Sequence, residues 1–276
     1  MPGKRLTLLG AATFVGVAAV AGQANAQAID DNFWIQGSGF LANVDTEVRS
    51  TLAANPNGGT VIDLEDDLGF DDGELLPAVY LGARLGGGFV VAGEYFSLGR
   101  DSTATIARDI TVDDVTYPVN GSITAGFDTK IYRLSVGYVF AGNDTSEIGA
   151  AIGLIATELD FSISGVGSVG GAPTSNEVRR KDVLAPIPTV GLFGSFQPMP
   201  RVIVGGRADY FGLGIDDYDG SILNLQASAQ YRIMDNVGIG VAYRYVDYDL
   251  DVEKDTYVAS FDYNFWGPSL FIEIGF

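Results

Sequence analysis

Hydrophobic and polar residues alternate with a period of two along most of this chain. The clearest example runs from Leu223 to Arg232, where every second residue is apolar and every intervening one is polar. Successive side chains of a β-strand point to opposite faces, so this segment predicts a strand with one apolar and one polar face. After the N-terminal region, no apolar run approaches the roughly 20 residues that a membrane helix needs.

The same alternation recurs and predicts about ten strands, at residues 32–44, 74–86, 88–109, 116–140, 147–164, 182–196, 201–215, 220–233, 236–252 and 256–276. Short connections alternate with longer ones, as the short periplasmic turns and longer external loops of outer-membrane barrels do. In hydrocarbon every backbone polar group needs an internal partner, which a sheet achieves only by closing. The predicted fold is therefore all-β: a closed antiparallel transmembrane up-and-down β-barrel of about ten strands, with eight or twelve as alternatives.

The strands at 88–109 and 116–140 exceed the 9–11 residues needed to cross a bilayer, so we expect them to project beyond it.

The N-terminus has the pattern of a secretory signal. Lys4-Arg5 precedes an apolar, small-residue stretch from Leu6 to Ala21, and Ala24-Asn25-Ala26 follows. A positive region, an apolar region and an A-x-A site together predict export and cleavage. We expect residues 1–26 to be the signal peptide and residues 27–276 to form the barrel.

The C-terminus ends in an alternating apolar strand whose last residue is aromatic. Its apolar positions are Leu270, Ile272, Ile274 and Phe276. This pattern resembles the terminal strand of outer-membrane barrels, which implies recognition by the barrel-assembly machinery. Gly267-Pro268 interrupts the alternation just upstream, and we expect a β-bulge there that restores one continuous apolar face.

Aromatic residues concentrate near predicted strand ends, where interfacial girdles would need them. They are Phe33, Trp34, Tyr95, Tyr138, Phe140, Tyr210, Phe211, Tyr243, Tyr245, Phe265 and Trp266. Ordinary aromatic enrichment in β-sheets is the alternative interpretation.

Composition narrows the classes of function. The chain has 35 Asp+Glu against 16 Lys+Arg and a net charge of −19, which argues against nucleic-acid partners because phosphates would be repelled. It has no cysteine, so no disulfide stabilises it, and no histidine, the commonest general base. Known outer-membrane barrel enzymes of this size use a catalytic histidine, so we expect no enzymatic activity.

If the apolar faces contact lipid, the opposite faces carry charges into the lumen. This lumen charge network comprises Arg84, Glu94, Arg133, Arg207, Asp209, Arg232, Arg244 and Glu273. A ten-stranded barrel is narrow, and opposed charges in a confined interior should pair. We favour a polar plug that holds the barrel shape over a path for small solutes.

Acidic residues gather toward the predicted external end. One group is Asp63, Glu65, Asp66 and Asp67; another is Asp247, Asp249, Asp251 and Glu253, which continues the lipid-facing phase at strict period two. A solvated rim is the simpler interpretation. The alternative is a divalent cation site, in which Ca²⁺ or Mg²⁺ bridges the carboxylates to lipopolysaccharide phosphates. We expect no other cofactor.

The stretch Thr60-Val61-Ile62-Asp63-Leu64-Glu65-Asp66-Asp67-Leu68-Gly69-Phe70 is similar to a first-loop motif in a family of uncharacterised proteobacterial outer-membrane barrels. Arg84 and Ile131-Tyr132-Arg133-Leu134 match the Arg-rich hairpin and the Ile-Tyr-Arg-Leu strand that follow it in that family. The resemblance covers about residues 60–276 and implies a fold and an outer-membrane location, but no ligand.

Three functions remain in competition. The first is an integral outer-membrane barrel with a mostly plugged polar lumen and acidic external loops, with a structural or surface-interaction role. The second is a narrow porin-like channel for small or anionic solutes. The third is a soluble, exported β-barrel that binds a ligand on an inward-facing apolar phase.

Overall fold

Ten antiparallel strands form a closed ring in the computed structural model, which describes residues 31–55, 59–113, 115–169, 171–173, 177–215, 218–253, 255 and 257–276. The wall strands are β1 (Phe33–Leu52), β3 (Gly73–Gly86), β4 (Phe89–Thr105), β7 (Ser122–Asn143), β8 (Ser146–Gly165), β11 (Glu177–Met199), β12 (Val202–Ile215), β13 (Tyr218–Arg232), β14 (Val237–Glu253) and β15 (Tyr257–Gly275). Each wall strand pairs with the next, and β15 pairs with β1 to close the ring. The predicted all-β, closed, ten-stranded barrel is confirmed.

Five short strands lie outside this ring. Strand β2 (Ile62–Asp63) pairs with β1, while β5 (Ile110–Val112), β6 (Val115–Tyr117), β9 (Ser168–Val169) and β10 (Ala172–Pro173) form a separate small sheet. All five belong to the longer connections, which emerge at one end of the barrel. We call this the loop end. The opposite end, which holds the short turns, the start of β1 and the end of β15, is the turn end. The predicted signal peptide, residues 1–26, lies outside the described residues.

The residues that the structure describes include no helix long and apolar enough to cross a membrane.

An apolar outer wall surrounds the turn-end half of the barrel. The most exposed of its large side chains include Leu134, Ile152, Leu192 and Leu270, each more than half exposed. Their strand neighbours point inward, as Arg133 does at 6% exposure. This is the outward apolar phase that the alternation predicts.

Aromatic pairs border this wall, although three of the predicted girdle residues belong to the interior. Tyr95 lies opposite Tyr132 with ring centroids 5.0 Å apart, and Phe89 lies 5.2 Å from Tyr138. By contrast, the inward-facing residues are Trp34, which lines an internal cavity, Phe211, which packs on the core, and Phe265, which is fully buried. Their positions alternate inward because the interior also needs large apolar side chains.

The polarity of the two faces reverses toward the loop end. On β14, Val241 and Tyr243 point outward beside the buried Arg244; further along, Tyr248 and Leu250 are buried while Asp249 is exposed. The backbone keeps its alternation, so the reversal comes from the types of residue at the inward and outward positions. The turn-end half has a polar interior and an apolar exterior, and the loop-end half has the opposite arrangement.

The expected β-bulge at Gly267-Pro268 is wrong. Strand β15 keeps one register with β14 through this point, with Gly267 opposite Arg244 and Pro268 opposite Tyr243. The apolar phase changes faces because Phe265 belongs to the loop-end interior and Leu270 to the outer wall. Gly267 has φ +157°, and a Cβ there would lie 2.0 Å from the Leu41 carbonyl oxygen, so only glycine fits.

Candidate functional site

A layer of paired charges crosses the middle of the barrel. Arg244 Nη2 donates to both carboxylate oxygens of Glu94 at 2.7 Å, and Arg133 lies 3.4 Å from the same carboxylate. Arg133 also donates to Asp209 at 3.2 Å, and Arg207 Nε donates to Asp209 at 2.7 Å. Five of the eight residues predicted for the lumen network thus form one cluster, which we call the charge layer.

The two neighbouring strands leave space for Asp209 and supply a hydrogen bond to it. Gly191 lies opposite it on β11, and a Cβ at Gly191 would approach the Asp209 Oδ1 to 2.3 Å. Asn224, opposite on β13, donates its amide to Asp209 Oδ2 at 3.0 Å. Asp209 thus accepts hydrogen bonds from Arg133, Arg207 and Asn224, and these bonds hold the two arginines in fixed positions.

The other three predicted lumen residues lie nearer the turn end. Arg84 forms a two-point ion pair with Glu147, at 2.8 and 2.9 Å. Arg232 pairs with Asp31 and lies 3.8 Å from Glu273. These pairs are separate from the charge layer, so the predicted network is several clusters at different heights.

Between the charge layer and the turn end lies a cavity of about 240 Å³. Its walls are rich in hydroxyl and amide side chains and small residues, including Ser38, Ser228, Gln226 and Gln230. Trp34 and the Arg84–Glu147 pair lie at its turn-end side, where the Arg84 side chain is 21% exposed. We call this space the turn-end cavity.

On the other side of the charge layer, a hydrophobic core lies inside the barrel. Its centre is an aromatic cluster of Phe96, Phe127, Tyr248, Tyr263 and Phe265, with ring centroids 5.1 to 6.4 Å apart between neighbours. Phe265 is fully buried. Arg244 joins the two regions, since its guanidinium lies 5.4 Å from the centroid of the Phe96 ring.

Two of the loop-end connections pack their apolar residues onto this core. Leu64 and Leu68 of the first loop are buried, as are Ile110 and Tyr117 of the segment between β4 and β7. Arg100, an inward residue of β4, anchors the first loop. It pairs with Glu65, donates to the Asp71 carbonyl at 3.2 Å, and stacks on Phe70. The motif of the first loop therefore packs over the core at the loop end of the barrel.

This packing involves the residues of the predicted cation site at Asp63, Glu65, Asp66 and Asp67, which stays a prediction. Glu65 faces Arg100, and Arg108 pairs with Asp67 and lowers the pKa of that carboxyl by donating to it. Asp63 accepts the Asp66 amide N–H at 2.7 Å. Guanidinium and amide donors thus occupy the carboxylate oxygens of Glu65 and Asp67 and one oxygen of Asp63. Among the described residues, no three acids are grouped closely enough to hold a metal ion.

The second acidic set stands on the outer wall beyond the aromatic residues. Asp249, Asp251 and Glu253 are exposed, and Asp247 is partly so. Asp262 of β15 lies between Asp249 and Glu47 in register. Partial burial and then these neighbouring carboxylates raise the pKa of Asp262 above its ordinary value. Cation bridging to a lipid phosphate remains a prediction for this acidic band.

Sequence reasoning missed several partners. Glu147 shares the inward phase of Gly149 and Ala151, so extending the alternation by one strand position would have found it. Arg100 likewise shares the phase of Glu94. Asp31 precedes the first strand and has no alternation to place it.

Comparison with known proteins places the fold. No protein-family model matches the chain, and no curated protein is significantly similar in sequence. The structure is similar to outer membrane protease OmpT from Escherichia coli, with TM-score 0.59 and 14% identity over 89% of this chain and 97% of that one. Two further structures resemble it less. Neisserial surface protein A has TM-score 0.33 and 11% identity over 89% of this chain and 97% of that one. The Ralstonia pickettii toluene transporter TbuX has TM-score 0.41 and 9% identity over 90% of each chain.

The chain therefore has the fold of an outer-membrane β-barrel. At 14% identity the likeness to OmpT concerns the fold alone, because one fold can host unrelated functions.

Proposed function

We propose that this chain is an integral protein of the Gram-negative outer membrane whose lumen is closed at the loop end, with a structural or surface-interaction role. The observation that carries the membrane assignment is the apolar outer wall of the turn-end half. Side chains such as Ile152 and Leu270, each 67% exposed, would be costly in water and favourable against lipid. The same wall argues against the soluble-barrel alternative.

Cysteine labelling tests the membrane position, because the natural chain has no cysteine. Val241→Cys and Asp249→Cys both point outward from β14, and eight residues separate them, roughly 26 Å along the strand. In lipid vesicles we expect a water-soluble maleimide to label Asp249→Cys at least tenfold faster than Val241→Cys. Equal rates, or a wild-type protein that stays dispersed in buffer without detergent, would contradict the proposal.

Closure is supported by the buried core and by the loops that cover it. A narrow channel is the second candidate, favoured by the inward arginines of the charge layer. A solute would have to pass both this layer and the aromatic cluster, in which Tyr263 is 1% exposed. Displacing such packing costs several kcal/mol, so we favour the closed barrel.

We propose no catalytic role. The sequence contains no histidine, so the commonest general base is absent. The likeness to a protease is a likeness of fold. Peptide hydrolysis by the purified protein would contradict this view.

We further propose that the acidic band contacts lipopolysaccharide through Ca²⁺ or Mg²⁺. The band lies just beyond the apolar wall, and carboxylates next to lipid phosphates need a cation between them. Calorimetric titration of Mg²⁺ into protein in lipopolysaccharide bilayers should show saturable binding that Asp249→Asn weakens. Identical titrations with and without lipopolysaccharide would refute the bridge.

The terminal strand supports recognition by the assembly machinery. Leu270, Ile272 and Phe276 point outward, and the Phe276 amide donates to the Phe33 carbonyl at 2.8 Å where the barrel closes. We propose that this apolar edge is read before β15 pairs with β1.

A further inference from the structure

The charge layer, which bounds the turn-end cavity on its loop-end side, carries more positive than negative charge. It contains three arginines, Arg133, Arg207 and Arg244, but only two carboxylates, Glu94 and Asp209. Each carboxylate is already shared between two of the arginines. Within the layer itself, the arginines therefore outnumber the carboxylates by one, and the next carboxylates, Glu147 and Glu273, lie nearer the turn end beside Arg84 and Arg232. Unpaired charge in such an interior is costly.

The excess is localised near Arg207. Its Nε binds Asp209, but its Nη2 is buried without a hydrogen-bond partner among the described residues. A buried guanidinium nitrogen without a partner loses its hydration and gains nothing in return. An acceptor in the adjoining cavity would satisfy it.

Strand register brings a second cation beside it. Gln226 lies opposite Arg207 on one side and opposite Arg244 on the other, so the three neighbouring strands β12, β13 and β14 present Arg207, Gln226 and Arg244 in one row on the cavity wall. The central member is neutral. The row thus has two cationic ends and an amide donor between them, which suits a carboxylate.

The remaining walls define what the carboxylate would be attached to. They offer hydroxyls and amides, such as Ser38, Ser228 and Gln230, alongside apolar side chains such as Phe40 and Ile203. A cavity of about 240 Å³ has room for several waters and so for a small organic ion.

We propose that the turn-end cavity is a binding site for a small hydroxylated monocarboxylate, held through its carboxylate by the Arg207–Gln226–Arg244 row. The ligand enters from the turn end, past the Arg84–Glu147 pair, and the core beyond the charge layer stops it there. The cavity is thus a blind pocket, and the proposal holds whether or not the barrel also contacts surface partners.

Calorimetric titration of the full-length protein in detergent micelles tests the site, with glycerate as the probe and glycerol as its neutral counterpart. We expect saturable binding of glycerate and at least tenfold weaker binding of glycerol, which corresponds to about 1.4 kcal/mol. No binding of glycerate, equal binding of the two compounds, or equally effective competition by chloride would overturn the proposal.

Two substitutions change the charge of the row in opposite directions. Gln226→Glu supplies an internal carboxylate between the arginines and should weaken glycerate binding at least tenfold. Asp209→Asn removes a negative charge without changing shape and should strengthen it. Arg201→Gln, at an exposed pair with Asp235 on a turn, serves as the control and should leave binding unchanged.

Resistance of the folded band to heating on a gel shows that each variant is folded. If Gln226→Glu does not fold, Asp209→Asn still decides the question, because mere damage to the site would weaken binding. Unchanged affinity in a folded Gln226→Glu, or weaker affinity in a folded Asp209→Asn, would overturn the proposal.

Discussion

At the scale of single residues, Arg100 shows how this barrel uses charge in its interior. The side chain is 1% exposed, lies between Phe70 and Phe127, and binds the Glu65 carboxylate and the Thr46 hydroxyl. It holds the first loop against the core through the ion pair with Glu65. Breaking a buried pair by removing one partner is costly because the other charge stays buried.

Arg100→Met keeps the apolar stem and removes the charge, so we expect it to lower the free energy of unfolding by about 3–5 kcal/mol. Urea titration in micelles measures this. Arg201→Met, at an exposed pair, should cost less than about 1 kcal/mol. The double variant Arg100→Met/Glu65→Gln should recover part of the loss, because it leaves no buried charge unpaired. A loss below 1 kcal/mol in Arg100→Met would contradict the anchoring role.

At the scale of elements, strands β14 and β15 show one backbone alternation serving two environments. Inward positions include Arg244 and Glu273 beside the cavity and become apolar toward the loop end, while outward positions of β14 change from apolar to acidic. The change occurs where the wall leaves the proposed hydrocarbon zone. Acidic side chains from three neighbouring strands meet there, around Asp262.

The acidic band should make stability depend on pH. The native pKa of Asp262 lies above 3.8, its ordinary value, because of partial burial and neighbouring carboxylates. In the window just above 3.8 the native state binds more protons than the unfolded state, so stability falls as pH rises through it. At pH 7 the group is ionised at a cost that Asp262→Asn removes.

We therefore expect Asp262→Asn to raise the thermal midpoint at pH 7 by roughly 1–3 °C. The gain should vanish near pH 3, where the carboxyl is protonated in both states. Asn264→Asp adds an acid between Asp45 and Asp247 and should have the opposite sign at pH 7. Equal pH profiles for all three proteins would show that the band does not destabilise the fold.

At the scale of the whole molecule, the interior consists of three layers: the turn-end cavity, the charge layer, and the loop-covered core. We propose that the charge layer and the core close the axis of the barrel. We expect no stable conductance steps in planar bilayers once insertion has been verified by heat-modified gel mobility, whereas an open porin in the same membrane conducts. Stable single-channel steps from the wild-type protein would favour the narrow-channel alternative.

The sequence alone determined the class of fold, because period-two alternation is local and a closed barrel is the sheet that leaves no edge in lipid. The wall strands and the inward direction of Arg133 and Asp209 follow from the same phase. The tertiary structure decided which charged side chains face each other across the lumen. Glu94 and Arg244 are 150 positions apart in the chain yet share two hydrogen bonds, and the first-loop acids bind arginines that no local pattern assigns to them. Partners across a lumen depend on closure and on register summed around ten strands, and neither is encoded in the neighbourhood of one residue.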